Sequence, residues 1–206
     1  MKLPSVRRSA ASRGFTLIEL LVVITIIALL AAGAYGAFGV MLEKAKKTEA
    51  QSTCGTIING INQFQGDYDT LPRPTSATPN TDCQSDTSAA ELLVAILKGM
   101  DEDQNSRGHD YLGDIKDAKT MNDKGGTQKH VAGIVREGEN IDLYDPWGSH
   151  YKVHIDLDYD GKLENPNTEA ASSGSTELHK TSIVYSIGKD LDELLWEDNV
   201  TSWAQQ

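Results

Sequence analysis

No stripe of Lys and Arg interleaved with aromatics runs along this chain, and its formal charge at neutral pH is -11. So acidic a body repels phosphate backbones, which argues against nucleic acid as a partner. A nucleophile elbow, a phosphate-binding glycine loop and a zinc-protease helix motif are also missing. An enzyme would therefore need a site that motifs do not reveal. Internal repeats are absent. Cysteine is scarce: Cys54 and Cys83 are the two present, compatible with one bridge or with two small buried thiols. A chain of 206 residues has room for one long anchor element and one modest globular domain, not for a further independent core.

What is there begins with an asymmetry of charge. The first fourteen residues carry Lys2, Arg7, Arg8 and Arg13 and no acidic residue. From Phe15 to Leu42 the chain is apolar except for Thr16, Glu19 and Thr25. At about 1.5 Å of helix per residue this run can cross a hydrocarbon core of about 30 Å, so it predicts a transmembrane helix. The order of basic leader and then apolar run differs from a secretory signal, whose apolar part precedes its cleavage site. The leader belongs on the cytoplasmic side, although Lys44, Lys46 and Lys47 beyond the span reduce the contrast. A carboxylate at Glu19 costs roughly 2.5–3.5 kcal/mol on insertion scales, so it sits at headgroup depth beside Arg13 or has a partner. Gly33, Gly36 and Gly39 recur every three residues, which suits close helix contact and equally suits ordinary transmembrane glycine.

Beyond the span, Ala50, Cys54, Ile57, Ile58, Ile61, Phe64 and Tyr68 recur by threes and fours, the mark of one amphipathic face. A single helix is predicted from about Phe15 to Tyr68, closed by Leu71-Pro72. Pro72 to Thr87 reads as a loop, and Cys83 could tie it back to Cys54. Ser88 and Glu91 form a capping box ahead of Leu92, Leu93, Ile96 and Leu97, with Gly99 as the stop. Asp101 to Gln128 is polar and reads as irregular. Strands are predicted at Gly133 to Arg136, Ile141 to Tyr144, Tyr151 to Ile155 and Ile183 to Ser186. The expected class is α+β, divided into segments 1–14, 15–42, 43–71, 72–130 and 131–206.

His150 and His154 have the spacing of a helical zinc pair, but in a strand they stand about 13 Å apart, too far for one metal. They read as surface histidines, as do His109, His130 and His179. Asp156-Leu157-Asp158-Tyr159-Asp160-Gly161 begins like an EF-hand loop, yet Asn167 holds the twelfth position. An acidic turn and a looser cation site both remain open there.

After the basic leader, the string Gly14-Phe15-Thr16-Leu17-Ile18-Glu19 closely resembles the type IV prepilin signal. The resemblance implies that prepilin peptidase cuts between Gly14 and Phe15 and methylates the new amine. It also implies that Glu19 pairs with the Phe15 amine of a neighbouring subunit, and that the long helix packs on a small antiparallel sheet in a pilin-like fold. Asn62-Gln63-Phe64 through Tyr68, Asp145-Pro146-Trp147-Gly148 before Tyr151, and Tyr185 through Trp203 are similar to the major pseudopilins of type II secretion systems. A structural, non-enzymatic subunit of a secretion pseudopilus is thereby implied. Its partners would be further copies of itself, minor pseudopilins, prepilin peptidase, the inner-membrane assembly platform and the membrane. It would be a single-pass protein of the bacterial inner membrane with its carboxyl-terminal domain in the periplasm. A surface pilin and, from another class, a membrane-tethered periplasmic hydrolase are the alternatives. The resemblance further implies a structural calcium ion held by Asp190 and Asp198 with Asp192 or Asn199. Leu191 to Glu197 departs from the glycine-rich family loop and could form a helical turn.

Overall fold

In the computed structural model of the protein, residues 15–74, 83–84, 87–113, 115–122, 125–138, 140–167 and 176–203 are described. The basic leader with Gly14, most of the loop after Pro72 and the Ser88 cap's side chain lie outside what is described. The chain divides into two units, Met1–Glu43 and Lys44–Gln206.

Helix α1 is Leu17–Tyr68, 52 residues. In the first unit its apolar side chains face outward, among them Leu17, Leu29 and Val40, each more than 70% exposed. No helix is long and apolar enough, among the described residues, to cross a membrane. The described side chains from Leu17 to Ala32 account for about 24 Å of helix, short of a core of about 30 Å. The apolar sequence itself continues to Leu42.

In the second unit the periodicity of α1 becomes packing. Ala50, Cys54, Ile57, Ile61 and Phe64 are all buried, at spacings that keep them on one face. Most of them meet Leu93, Ile96 and Leu97 of α2 (Thr87–Leu97) and apolar residues of the strands in one core. Each such side chain contributes about 1.5–3 kcal/mol by leaving water. The helix ends where Asp69 takes a φ of 55°, and its N–H still reaches Gln65 O at 2.9 Å. Helix α2 closes with a Schellman motif: Met100 N–H donates to Ala95 O at 2.9 Å and Gly99 N–H to Ile96 O at 3.1 Å. Gly99 has φ +73°, and a Cβ there would stand 2.8 Å from the Gly108 backbone, so glycine is required twice over.

The strands are β1 (Cys83–Gln84), β2 (Lys119–Asn122), β3 (Gln128–Val131), β4 (Gly133–Glu137), β5 (Asn140–Tyr144), β6 (Lys152–Ile155), β7 (Leu163–Glu164), β8 (Glu177–Leu178), β9 (Ser182–Ser186) and β10 (Val200–Thr201). A four-stranded sheet has the order β1-β6-β9-β10, and β2-β3, β4-β5 and β7-β8 form two-stranded ribbons. All strand pairings are antiparallel. The arrangement is α+β and pilin-like.

The four predicted strands are β4, β5, β6 and β9, with ends differing by a residue or so. The expectation of irregular chain from Asp101 to Gln128 is corrected by β2, which pairs with β3 from Lys119↔Val131 to Asn122↔Gln128. All four β2 residues are exposed, so no apolar alternation marks the strand in sequence.

Candidate functional site

At the amino-terminal end of α1, Thr16 and Glu19 cap the helix reciprocally. The Glu19 N–H donates to Thr16 Oγ1 at 3.3 Å. Glu19 Oε2 accepts the Thr16 N–H at 2.9 Å and its hydroxyl at 2.7 Å. This is a complete capping box: it satisfies two donors that would otherwise be bare and puts a negative charge at the positive end of the helix dipole. Glu19 is therefore bonded within its own chain, a role the sequence reading missed although the Thr-x-x-Glu spacing carries it. Phe15, next to the cap, is 77% exposed, and Gly14 lies outside the described residues.

A family model for the prokaryotic N-terminal methylation motif matches residues 9–35, a span that includes Gly14, Phe15 and Glu19. Over that segment the chain is similar to the type IV prepilins. That family is structural, and its motif implies processing by prepilin peptidase and assembly into a filament. Neither a curated protein nor a solved structure matches the chain.

In the globular unit, outside the matched segment, Asp145 is fully buried. Its Oδ1 accepts the N–H groups of Trp147 at 2.9 Å and Ser149 at 2.8 Å. Burial pushes the carboxyl above the usual carboxylate range, while the Ser186, Ser149, Trp147 and Gly148 donors pull it back. The turn so held places Trp147 against Ala50 of α1 and Val200 of β10. The Asp145-Pro146-Trp147-Gly148 segment is thus a fastening between elements.

At the carboxyl loop, the proposed calcium ligands are spent largely on the backbone. Asp198 Oδ2 accepts the N–H of Lys189 at 2.6 Å and of Asp190 at 3.2 Å. Asp190 Oδ1 takes Asp192 N–H at 2.9 Å, and Asp192 Oδ1 takes Leu194 N–H at 3.0 Å. With its amide nitrogen turned inward, Asn199 bonds Ile187 O at 2.8 Å and Leu195 O at 3.3 Å. Asp198 Oδ1 is buried without a donor. The segment from Leu191 to Glu197 runs through turns instead of a helix. It is held by Tyr185 Oη, which donates to Glu193 Oε1 at 2.7 Å, and by Trp196 stacking 5.3 Å from the Tyr185 ring. Among the described residues, the acidic side chains whose oxygens gather within 4.8 Å are instead Asp156, Asp158 and Asp160.

Of the two alternatives left open for the cysteines, Cys54 stands here as a free thiol with no exposed surface; the Cys83 side chain lies outside what is described. Burial, and secondarily the Asp145 charge, push the Cys54 thiol up to about 12. His154 is corrected from a surface residue to a buried one, 8% exposed on β6. Burial lowers its pKa below the ordinary imidazole value. His150 leans on Asp142, Nε2 to Oδ1 3.4 Å.

Proposed function

We propose that the protein is a structural subunit of a type II secretion pseudopilus. Prepilin peptidase cuts it between Gly14 and Phe15, and the apolar part of α1 then anchors it in the bacterial inner membrane with the globular unit in the periplasm. The observation that carries this reading is the exposed apolar surface of α1, which lies within and just beyond the residues that the methylation motif matches. An apolar surface of that length is not held in water; it calls for lipid or for like helices in a filament. The choice of a pseudopilus over a surface pilus is supported by the resemblance at Asp145 to Tyr151 and Tyr185 to Trp203, the segments that fasten the sheet to α1 and close the carboxyl loop. Further copies of the chain, minor pseudopilins and an inner-membrane assembly platform are its partners in this reading. The carboxyl loop, with Asp190 and Asp198 as ligands beside Asp192 or Asn199, is the family-like place for a calcium ion, and the buried Asp198 Oδ1 supports it.

Gene deletion, with surface filaments and extracellular enzymes scored separately, tests the assignment. Loss of secretion with filaments intact is expected. Loss of filaments with secretion intact selects the pilus, and turnover of a substrate by the monomer selects the hydrolase.

A further inference from the structure

The loop joining β6 to β7 carries three carboxylates at alternate positions, and one of them is in an unusual place for an acid. Asp156 is 1% exposed. Its Oδ2 accepts the Gly161 N–H at 2.8 Å, but its Oδ1 is shut off from solvent and has no hydrogen-bond donor. Beside the carboxyl lie a second carboxylate, Asp158, and the Tyr159 N–H, which with the Gly161 N–H favours its charged form. The nearby Lys162 ammonium is engaged with Glu177 at 3.1 Å. A buried carboxylate oxygen with neither donor nor counter-ion is costly, and the cost disappears if a cation binds there.

The geometry suits such an ion. One oxygen from each of Asp156, Asp158 and Asp160 lies within 4.8 Å of the others, and oxygens bound to one calcium at about 2.3–2.6 Å can stand no more than about 5 Å apart. The order Asp-x-Asp-x-Asp-Gly reproduces the first half of a calcium loop, and Gly161 has the positive φ, 78°, that its sharp turn needs. The missing glutamate at the twelfth position leaves coordination places for water or carbonyls and predicts modest affinity.

What the loop touches gives the site a role. Between the acids, Tyr159 reaches out so that its Oη accepts the Leu71 N–H at 2.9 Å and lies 3.1 Å from Thr70 Oγ1. Those two residues follow the end of α1 with only Asp69 between. We propose that Asp156, Asp158 and Asp160 bind a calcium ion that fixes the β6–β7 loop and, through Tyr159, fastens the carboxyl end of the long helix. The site is separate from the carboxyl loop, and its occupant is a free divalent cation of the extracytoplasmic medium.

Calcium chloride titrated into the detergent-solubilised full chain, previously stripped with chelator, tests this. At about a hundredfold excess over Kd the folded-to-unfolded ratio rises about a hundredfold, and hydrogen exchange at the Leu71 amide slows. Asp158→Asn and Asp160→Asn, at exposed positions, each lower calcium affinity at least tenfold. Tyr159→Phe keeps the affinity but loses the added protection at Leu71. Asp198→Ala leaves the response of Leu71 intact. Melting that is the same in chelator and calcium overturns the proposal, as does a calcium response equal in wild type and Asp158→Asn.

Discussion

Ser186 donates its hydroxyl to Asp145 Oδ2 at 2.6 Å, tying the end of β9 to the turn that follows β5 across 41 residues of sequence. The other Asp145 oxygen holds two backbone N–H groups of that turn. Removing the carboxylate strands three donors, two of them backbone N–H groups, and each buried unsatisfied group costs about 1–3 kcal/mol. Asp145→Ala should lower stability by about 3 kcal/mol or more in urea melts. Asp145→Asn keeps one oxygen for Trp147 and Ser149 and should lose less. Equal stability of Asp145→Ala and wild type would refute the fastening.

Thr16 and Glu19 allow the cap and the assembly role to be separated. Thr16→Ala removes the cap hydroxyl, at a cost of about 0.5–2 kcal/mol to the helix start, but keeps the carboxylate. If Glu19 pairs with the Phe15 amine of a neighbour, Thr16→Ala still enters filaments in a mixed-assembly experiment while Glu19→Ala is excluded. Exclusion of both variants to the same degree would assign Glu19 to the cap alone.

Processing has a direct readout. Intact-mass analysis of membrane-extracted protein should find a chain that begins at Phe15 and is methylated on its amine. A mature species that retains residues 1–14 would rule this out.

His154 supplies a pH dependence. Burial favours its neutral form in the folded protein, so as pH falls below about 6.5 the unfolded chain takes up the proton first. The stability associated with neutral His154 is present above that pH and is lost as pH falls toward the folded value. Thermal midpoints should drop between pH 7.5 and 5, less steeply in His154→Phe, and the His154 ring should titrate below 6.5 by NMR. A ring titrating above 6.5 would show that it is not buried neutral.

Cys54 should be silent to alkylating reagents at neutral pH, since burial holds the thiol near 12 and only the thiolate reacts. Denaturant should expose it. A Cys54–Cys83 peptide in non-reducing maps of protein from its native compartment would instead restore the bridge, which in a closed loop of about 30 residues stabilises by roughly 2–4 kcal/mol.

Features that depend on local period and local chemistry are legible along the chain. The spacing of Ala50, Cys54, Ile57, Ile61 and Phe64 specified the buried face of α1, because a helix repeats every 3.6 residues whatever it packs on. Gly99 marked the end of α2 because only a residue free of Cβ fits that turn. The run from Gly14 to Glu19 marked the prepilin-like signal because a peptidase reads it as a linear string. Which polar groups are buried, and what they meet, depends on contacts between distant parts of the chain. Asp145 and Ser186 are 41 residues apart, and the exposed β2 has no alternation to show that β3 lies beside it. Acid crowding looks much the same in sequence at Asp156 to Asp160 and at Asp190 to Asp198. In the fold, both loops turn carboxylate oxygens onto nearby N–H groups and bury one unpartnered oxygen, but among the described residues the β6–β7 loop alone brings one oxygen from each of three acids within 4.8 Å of the others. That difference lies in the direction of side chains relative to distant backbone, which no spacing of residues along a chain encodes.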